Sequence, residues 1–132
     1  MSVNGVPEDA RRLLASRINS VEQLEILLLL RRDPARSWTP SALAEELRSS
    51  EPSVAKRLAD LRRGGLVEVV PSSPEAYRYA PAAAWLSAAV DSLAQLYAES
   101  PYRVIDLIFA KPIDNLRVYA DAFRYRKDDS DG

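Results

Sequence analysis

No cysteine and no histidine occurs among the 132 residues of this chain. Those two absences exclude a disulfide framework, thiolate metal sites, cysteine nucleophiles and histidine general bases at once. Glycine occurs four times, and the single adjacent pair, Gly64-Gly65, suits a helix stop rather than a phosphate-cradling loop. No paired-carboxylate motif stands out either, so the residues point away from catalysis and from any cofactor or metal. Long apolar runs are missing as well. The longest, residues 26–30, is far short of the roughly 20 residues of a bilayer span, and the start of the chain carries no basic signal-peptide pattern. A cytoplasmic protein with no membrane partner is the expectation.

What is present is 47% hydrophobic and 28% charged, enough to bury a core in one domain with an added dimerisation element. The net charge of −1 is low for a nucleic-acid binder, but its distribution matters more than its sum. Residues 51–66 hold Lys56, Arg57, Arg62 and Arg63 against Glu51 and Asp60, whereas residues 80–110 hold Arg103 against Asp91, Glu99 and Asp106. Positive charge therefore collects on one short stretch. That amount predicts weak non-specific binding, with affinity drawn from base contacts or from doubling in a dimer.

This stretch lies inside the organising segment of the chain, Trp38 to Tyr79. Thr39 followed by Pro40 reads as N-cap and first helical residue, with Trp38 and Leu43 at the spacing of a hydrophobic staple. Leu43, Ala44 and Leu47 share one face of a helix of about ten residues that Ser49 and Ser50 end. Ser50 or Glu51 then caps a second helix, with Pro52 in its first turn. Val54, Leu58 and Leu61 form its buried stripe, while Ser53, Lys56, Arg57, Asp60 and Arg63 face away, and Gly64-Gly65 stops it. Two helices joined so tightly cross steeply and hold the second out as a probe for a DNA major groove. On it, Lys56, Arg57 and Arg63 suit phosphates, Ser50 and Ser53 lie near the helix start where base edges are met, and Arg57 is the first choice for guanine.

Residues 66–70, with Val67, Val69 and Val70, and residues 76–80, where Tyr77-Arg78-Tyr79 alternates at period two, flank the polar loop Pro71-Ser72-Ser73-Pro74-Glu75, and the whole reads as a hairpin wing. The run Ser53-Val54-Ala55-Lys56-Arg57-Leu58-Ala59-Asp60-Leu61-Arg62-Arg63-Gly64-Gly65-Leu66-Val67-Glu68 resembles the recognition helix and first wing strand of bacterial winged helix-turn-helix regulators of the MarR/ArsR type. The resemblance covers about residues 20–80 and implies a transcription factor, commonly a repressor, that binds double-stranded DNA as a dimer. Where the MarR pattern has Asp-x-Arg in the wing, this chain has Ser72, Ser73 and the later Arg78, onto which the resemblance places the wing's DNA contacts.

Around this unit, residues 1–6 read as frayed and residues 7–17 as a short helix that either joins a dimer interface or covers the core; together, residues 1–19 form an N-terminal extension. Ser20 and Gln23 form a capping box for a helix apolar around most of its circumference, hence central. Trp38 is expected in the core, and the resemblance to winged-helix regulators places it near a short strand that pairs with the wing. Beyond the wing, residues 81–127 read as three helices, residues 81–99, 101–110 and 112–127, followed by a disordered tail at residues 128–132. The fold class is mainly α with a small β-hairpin wing, a winged helix-turn-helix plus C-terminal helices.

Those helices carry more apolar surface than a 60-residue winged helix covers, and a homodimer interface accounts for the excess. The candidates are Trp85, Leu93, Leu96, Val104, Leu107, Ile108, Phe109, Leu116 and Phe123; the alternative is packing onto the first helix within one chain. The aromatic set Trp85, Tyr97, Tyr102, Phe109, Tyr119, Phe123 and Tyr125 raises a second option, an effector pocket. A rival to DNA binding also stands. Glu51 and Asp60 beside Lys56 and Arg57 suit a winged helix whose probe face binds another regulatory protein.

Overall fold

The computed structural model describes residues 2–3 and 5–111, which form six helices and two small antiparallel hairpins. The first helix, α1 (Glu8–Arg17), has Glu8 and Asp9 at its positive end and Arg17 at its negative end, as the helix dipole favours. Before it, β1 (Ser2–Val3) pairs with β2 (Val6–Pro7). The expectation that residues 1–6 are frayed is corrected for the described ones: residues 2–3 pair with residues 6–7, Gly5, at φ +78, turns the chain, and Val6 lies 3% exposed in the core.

Helix α2 (Val21–Arg32) starts where the capping box put it, with Ser20 Oγ accepting the amide of Gln23 at 3.0 Å. The Gln23 side chain accepts from Asn19 N and donates to the Arg17 carbonyl, so this wholly buried polar residue is satisfied while it fixes the α1–α2 corner. Leu24, Ile26, Leu27 and Leu30 are fully buried, which makes α2 the central helix its apolar circumference predicts.

Helices α3 (Pro40–Leu47) and α4 (Glu51–Arg63) form the helix-turn-helix. Thr39 Oγ1 accepts from Ala42 N, and Ser50 Oγ accepts from Ser53 N, each at the helix start. Both helices end in a Schellman motif. In α3, Ser49 N bonds Ala44 O and Arg48 N bonds Glu45 O, with Arg48 itself left-handed at φ 54. In α4, Leu66 N bonds Leu61 O and Gly65 N bonds Arg62 O, with Gly65 at φ 74 and Leu61 and Leu66 both buried.

The wing is β3 (Val67–Val70) paired antiparallel with β4 (Ala76–Tyr79), in the register Val67 to Tyr79 and Val70 to Ala76. Trp38 adds a third, one-residue strand: its amide donates to Tyr77 O at 2.8 Å and Tyr77 N donates back at 2.7 Å. Trp38 is buried, with the Arg36 guanidinium stacked on its ring.

Helix α5 (Ala84–Glu99) begins a few residues after Pro81, and α6 (Pro101–Phe109) follows through Ser100 and Pro101. Helix α1 packs along α5, and Ala10, Leu13 and Leu14 enter the same core as Leu86, Ala89, Val90 and Leu93. The expected helix at residues 112–127 and the tail at 128–132 lie outside the described residues.

Candidate nucleic-acid interface

The buried stripe of α4, Val54, Leu58 and Leu61, packs it against α2 and α3 and fixes which side chains it turns outward. Ser50, Lys56, Arg62 and Arg63 are exposed, whereas Ser53 and Arg57 are half-buried. Lys56 and Arg62 make no ion pair among the described residues. Arg63 pairs with Asp60 one turn back on the same helix. Ser50 carries the cap, so its hydroxyl has a structural task already.

Arg57 has a partner that its local sequence does not announce. Its Nε donates to Glu22 Oε1 at 3.1 Å, across 35 positions, from the first turn of α2. The same carboxylate accepts the hydroxyls of Ser53, at the start of α4, and of Ser49, in the turn. Burial alone would raise the Glu22 carboxyl; the hydrogen bonds from Ser49, Ser53 and Arg57, together with the Arg57 charge, outweigh it and hold the group below its ordinary value. Neither Glu22 nor Ser49 was a sequence-level site candidate. An acid in a helix's first turn is already explained by the dipole, so Glu22 offers no signal that it faces another helix.

The wing presents Ser72 and Ser73 in its exposed loop, with Ser72 Oγ bonded to the carbonyls of Val70 and Pro74. Arg78 is exposed on β4 and pairs across the hairpin with Glu68, its register partner.

The apolar candidates for a subunit interface divide. Leu93, Leu96, Val104 and Ile108 are buried within the single chain, the outcome that packing onto the first helix allows, because α1 and α6 both cover α5. Trp85 and Leu107 are half-buried against that core, with the guanidiniums of Arg12 and Arg17 over the Trp85 ring at 4.7 and 5.1 Å. Phe109 is 70% exposed and Tyr102, on the same helix, 80%. Leu116 and Phe123 fall outside the described residues.

Among the described residues, Tyr97 and Trp85 border different clefts. Tyr97 borders an open cleft of about 430 Å³ between α2, α3 and α5 that also takes in Glu25, Arg31 and Arg32. Trp85 borders a different one, beside Arg12, and Tyr119, Phe123 and Tyr125 lie outside the described residues. No group of three or more acidic or other metal-ligating side chains clusters among the described residues, and no helix there is long and apolar enough to cross a membrane.

No family model and no curated protein matches the sequence. Solved structures do. HlyU from Vibrio cholerae superposes with a TM-score of 0.53 at 23% identity, covering 67% of this chain and 94% of its own. MepR, a transcription regulator of the Staphylococcus aureus multidrug efflux pump MepA, gives 0.54 at 15% identity, covering 92% and 87%. The adhesin competence repressor AdcR from Streptococcus pyogenes gives 0.50 at 14% identity, covering 92% and 89%. At such identities the likeness is one of fold. A helix-turn-helix closed by two Schellman motifs, a two-stranded wing bridged to Trp38, and helices on either side of it in sequence together give this chain the winged helix-turn-helix architecture that its residues 53–68 resemble.

Proposed function

We propose that this chain is a sequence-specific, DNA-binding transcriptional regulator that acts without catalysis, as a homodimer setting two copies of α4 into successive major grooves. The observation that carries the reading is α4 itself. It is held out by a short turn, with Lys56 and Arg62 exposed and unpaired among the described residues beside an Arg57 fixed from behind. MepR, a structural neighbour, has been solved bound to an oligodeoxyribonucleotide as its F27L variant, and that supports DNA as the ligand class here. The exposed Phe109 and Tyr102 on α6 support a second copy as partner, and occupation of a promoter by the dimer makes repression the expected outcome.

A second reading has its own observation. Arg57, Arg63 and Arg78 are each matched by a carboxylate, from Glu22, Asp60 and Glu68, which leaves the face near neutral and suits a protein partner. Fluorescence anisotropy of the purified chain against DNA from its own promoter and a scrambled duplex of equal length, at two salt concentrations, separates the two. Preference for the promoter that weakens with salt is expected; no binding to either duplex overturns the DNA reading in favour of the protein partner.

A further inference from the structure

The Glu22 cluster spans three elements that a DNA-reading surface must hold in register: the first turn of α2, the turn of the helix-turn-helix and the first half of α4. Ser53 and Arg57 lie one helical turn apart on α4, and both end on one carboxylate. A guanidinium is a planar fork of five N–H donors. With Nε committed to Glu22, the plane of the Arg57 fork is set and its four terminal N–H groups remain for an outside acceptor. The Arg57 and Glu22 side chains are 27% and 24% exposed, shielded enough for the pair to resist salt better than the exposed ones.

Resting on the DNA-binding reading above, we propose that Glu22 is a positioning residue for base readout, which holds the Arg57 fork for a guanine edge while cancelling its charge toward phosphate. Two consequences have opposite signs. A pre-set fork binds the right base at a smaller entropic loss, which strengthens specific binding. A carboxylate behind the interface weakens attraction to any phosphate backbone, which lowers non-specific binding. Glu22 thereby serves discrimination rather than affinity. The two serine hydroxyls keep the carboxylate from swinging away with the arginine, so Ser49 assists without contacting DNA.

The test uses the full chain and its variants Glu22→Gln, Ser49→Ala, Arg57→Ala and the double variant Glu22→Gln/Arg57→Ala. Selection from a randomised duplex pool defines the preferred site of the wild type, and each variant is then titrated against that site and a scrambled duplex at two salt concentrations. Glu22→Gln, which keeps the shape and an acceptor oxygen, is expected to lower the specific-to-scrambled ratio about tenfold, with scrambled DNA bound more tightly and with a steeper salt slope. Ser49→Ala, which changes no charge, moves the ratio in the same direction by less. In the Arg57→Ala background, Glu22→Gln no longer changes the ratio, a result that a merely structural role does not produce. An unchanged ratio in both single variants, or a Glu22→Gln effect that persists without Arg57, overturns the inference alone. A wild type that selects no sequence overturns the DNA reading and the inference with it.

Discussion

Arg17, the last residue of α1, donates its Nε to the carbonyl oxygen of Gly64 at 2.8 Å, across 47 positions of sequence. The bond ties the N-terminal extension to the C-terminal end of α4, and the same guanidinium lies over the ring of Trp85 in α5. Arg17→Ala removes a charge-assisted hydrogen bond and a cation–π contact together. A loss of about 1–2 kcal/mol is expected, read as a lower urea midpoint at unchanged slope. A midpoint equal to that of the wild type would mean that the Arg17 side chain adds nothing to the hold on α1.

The two left-handed residues of the helix-turn-helix should answer to mutation with opposite signs. Arg48 at φ 54 carries a side chain in a conformation that disfavours one, so Arg48→Gly should raise stability by about 0.5–1 kcal/mol after glycine's own entropy is counted. At Gly65, φ is 74 and an added Cβ meets that of Ala82 at 3.3 Å. Gly65→Ala is therefore expected to cost about 1–3 kcal/mol. Thermal denaturation of the two variants side by side checks both directions.

Glu22 makes stability depend on acid. Its pKa in the folded chain lies below the ordinary 4.5, so its contribution is complete above that value and disappears as the pH falls through the folded pKa. The stability gap between wild type and Glu22→Gln should be constant near neutrality and close in acid, below about pH 4.5. Denaturant titrations at successively lower pH measure it, and a gap that survives the most acidic condition rules out the charge as its source.

On α4, exposure separates two roles. Lys56, exposed and without an ion pair among the described residues, is suited to any phosphate, so Lys56→Ala should weaken binding to all duplexes and lower the salt slope by about one. Arg57→Ala should cost about 1–3 kcal/mol at particular base positions only. Variants that both bind as the wild type does would show that α4 is not the probe.

Phe109 offers the cleanest probe of self-association, because it is 70% exposed while Leu93 and Ile108 are core. On the homodimer proposed above, Phe109→Glu should shift the light-scattering mass from dimer to monomer. Retention of the dimer mass would take this end of α6 out of the interface.

The helix-turn-helix was legible in the sequence because its signals are local. Thr39-Pro40, Ser50 with Pro52, and Gly64-Gly65 act within a few residues of themselves, and each marks the helix end it implied. The pairing of Trp38 with the wing was also legible, through the resemblance to winged-helix regulators. Val6 was not, since a lone valine between Gly5 and Pro7 shows no period. Periodicity showed that Leu93, Leu96, Val104 and Ile108 face something apolar, but a buried stripe looks the same whether its cover is α1 or another chain. At the candidate site, the outward placement of Lys56 on α4 could be read from the sequence, whereas the Glu22–Arg57 bond could not: nothing at position 22 refers to position 57.

The pair of backbone hydrogen bonds between Trp38 and Tyr77 has an architectural consequence. Two short hydrogen bonds join Tyr77 of β4 to Trp38, the residue directly before the Thr39 cap of α3. The wing and the start of α3 thus share one backbone joint, at which Trp38 is at once a strand residue and the residue that leads into a helix.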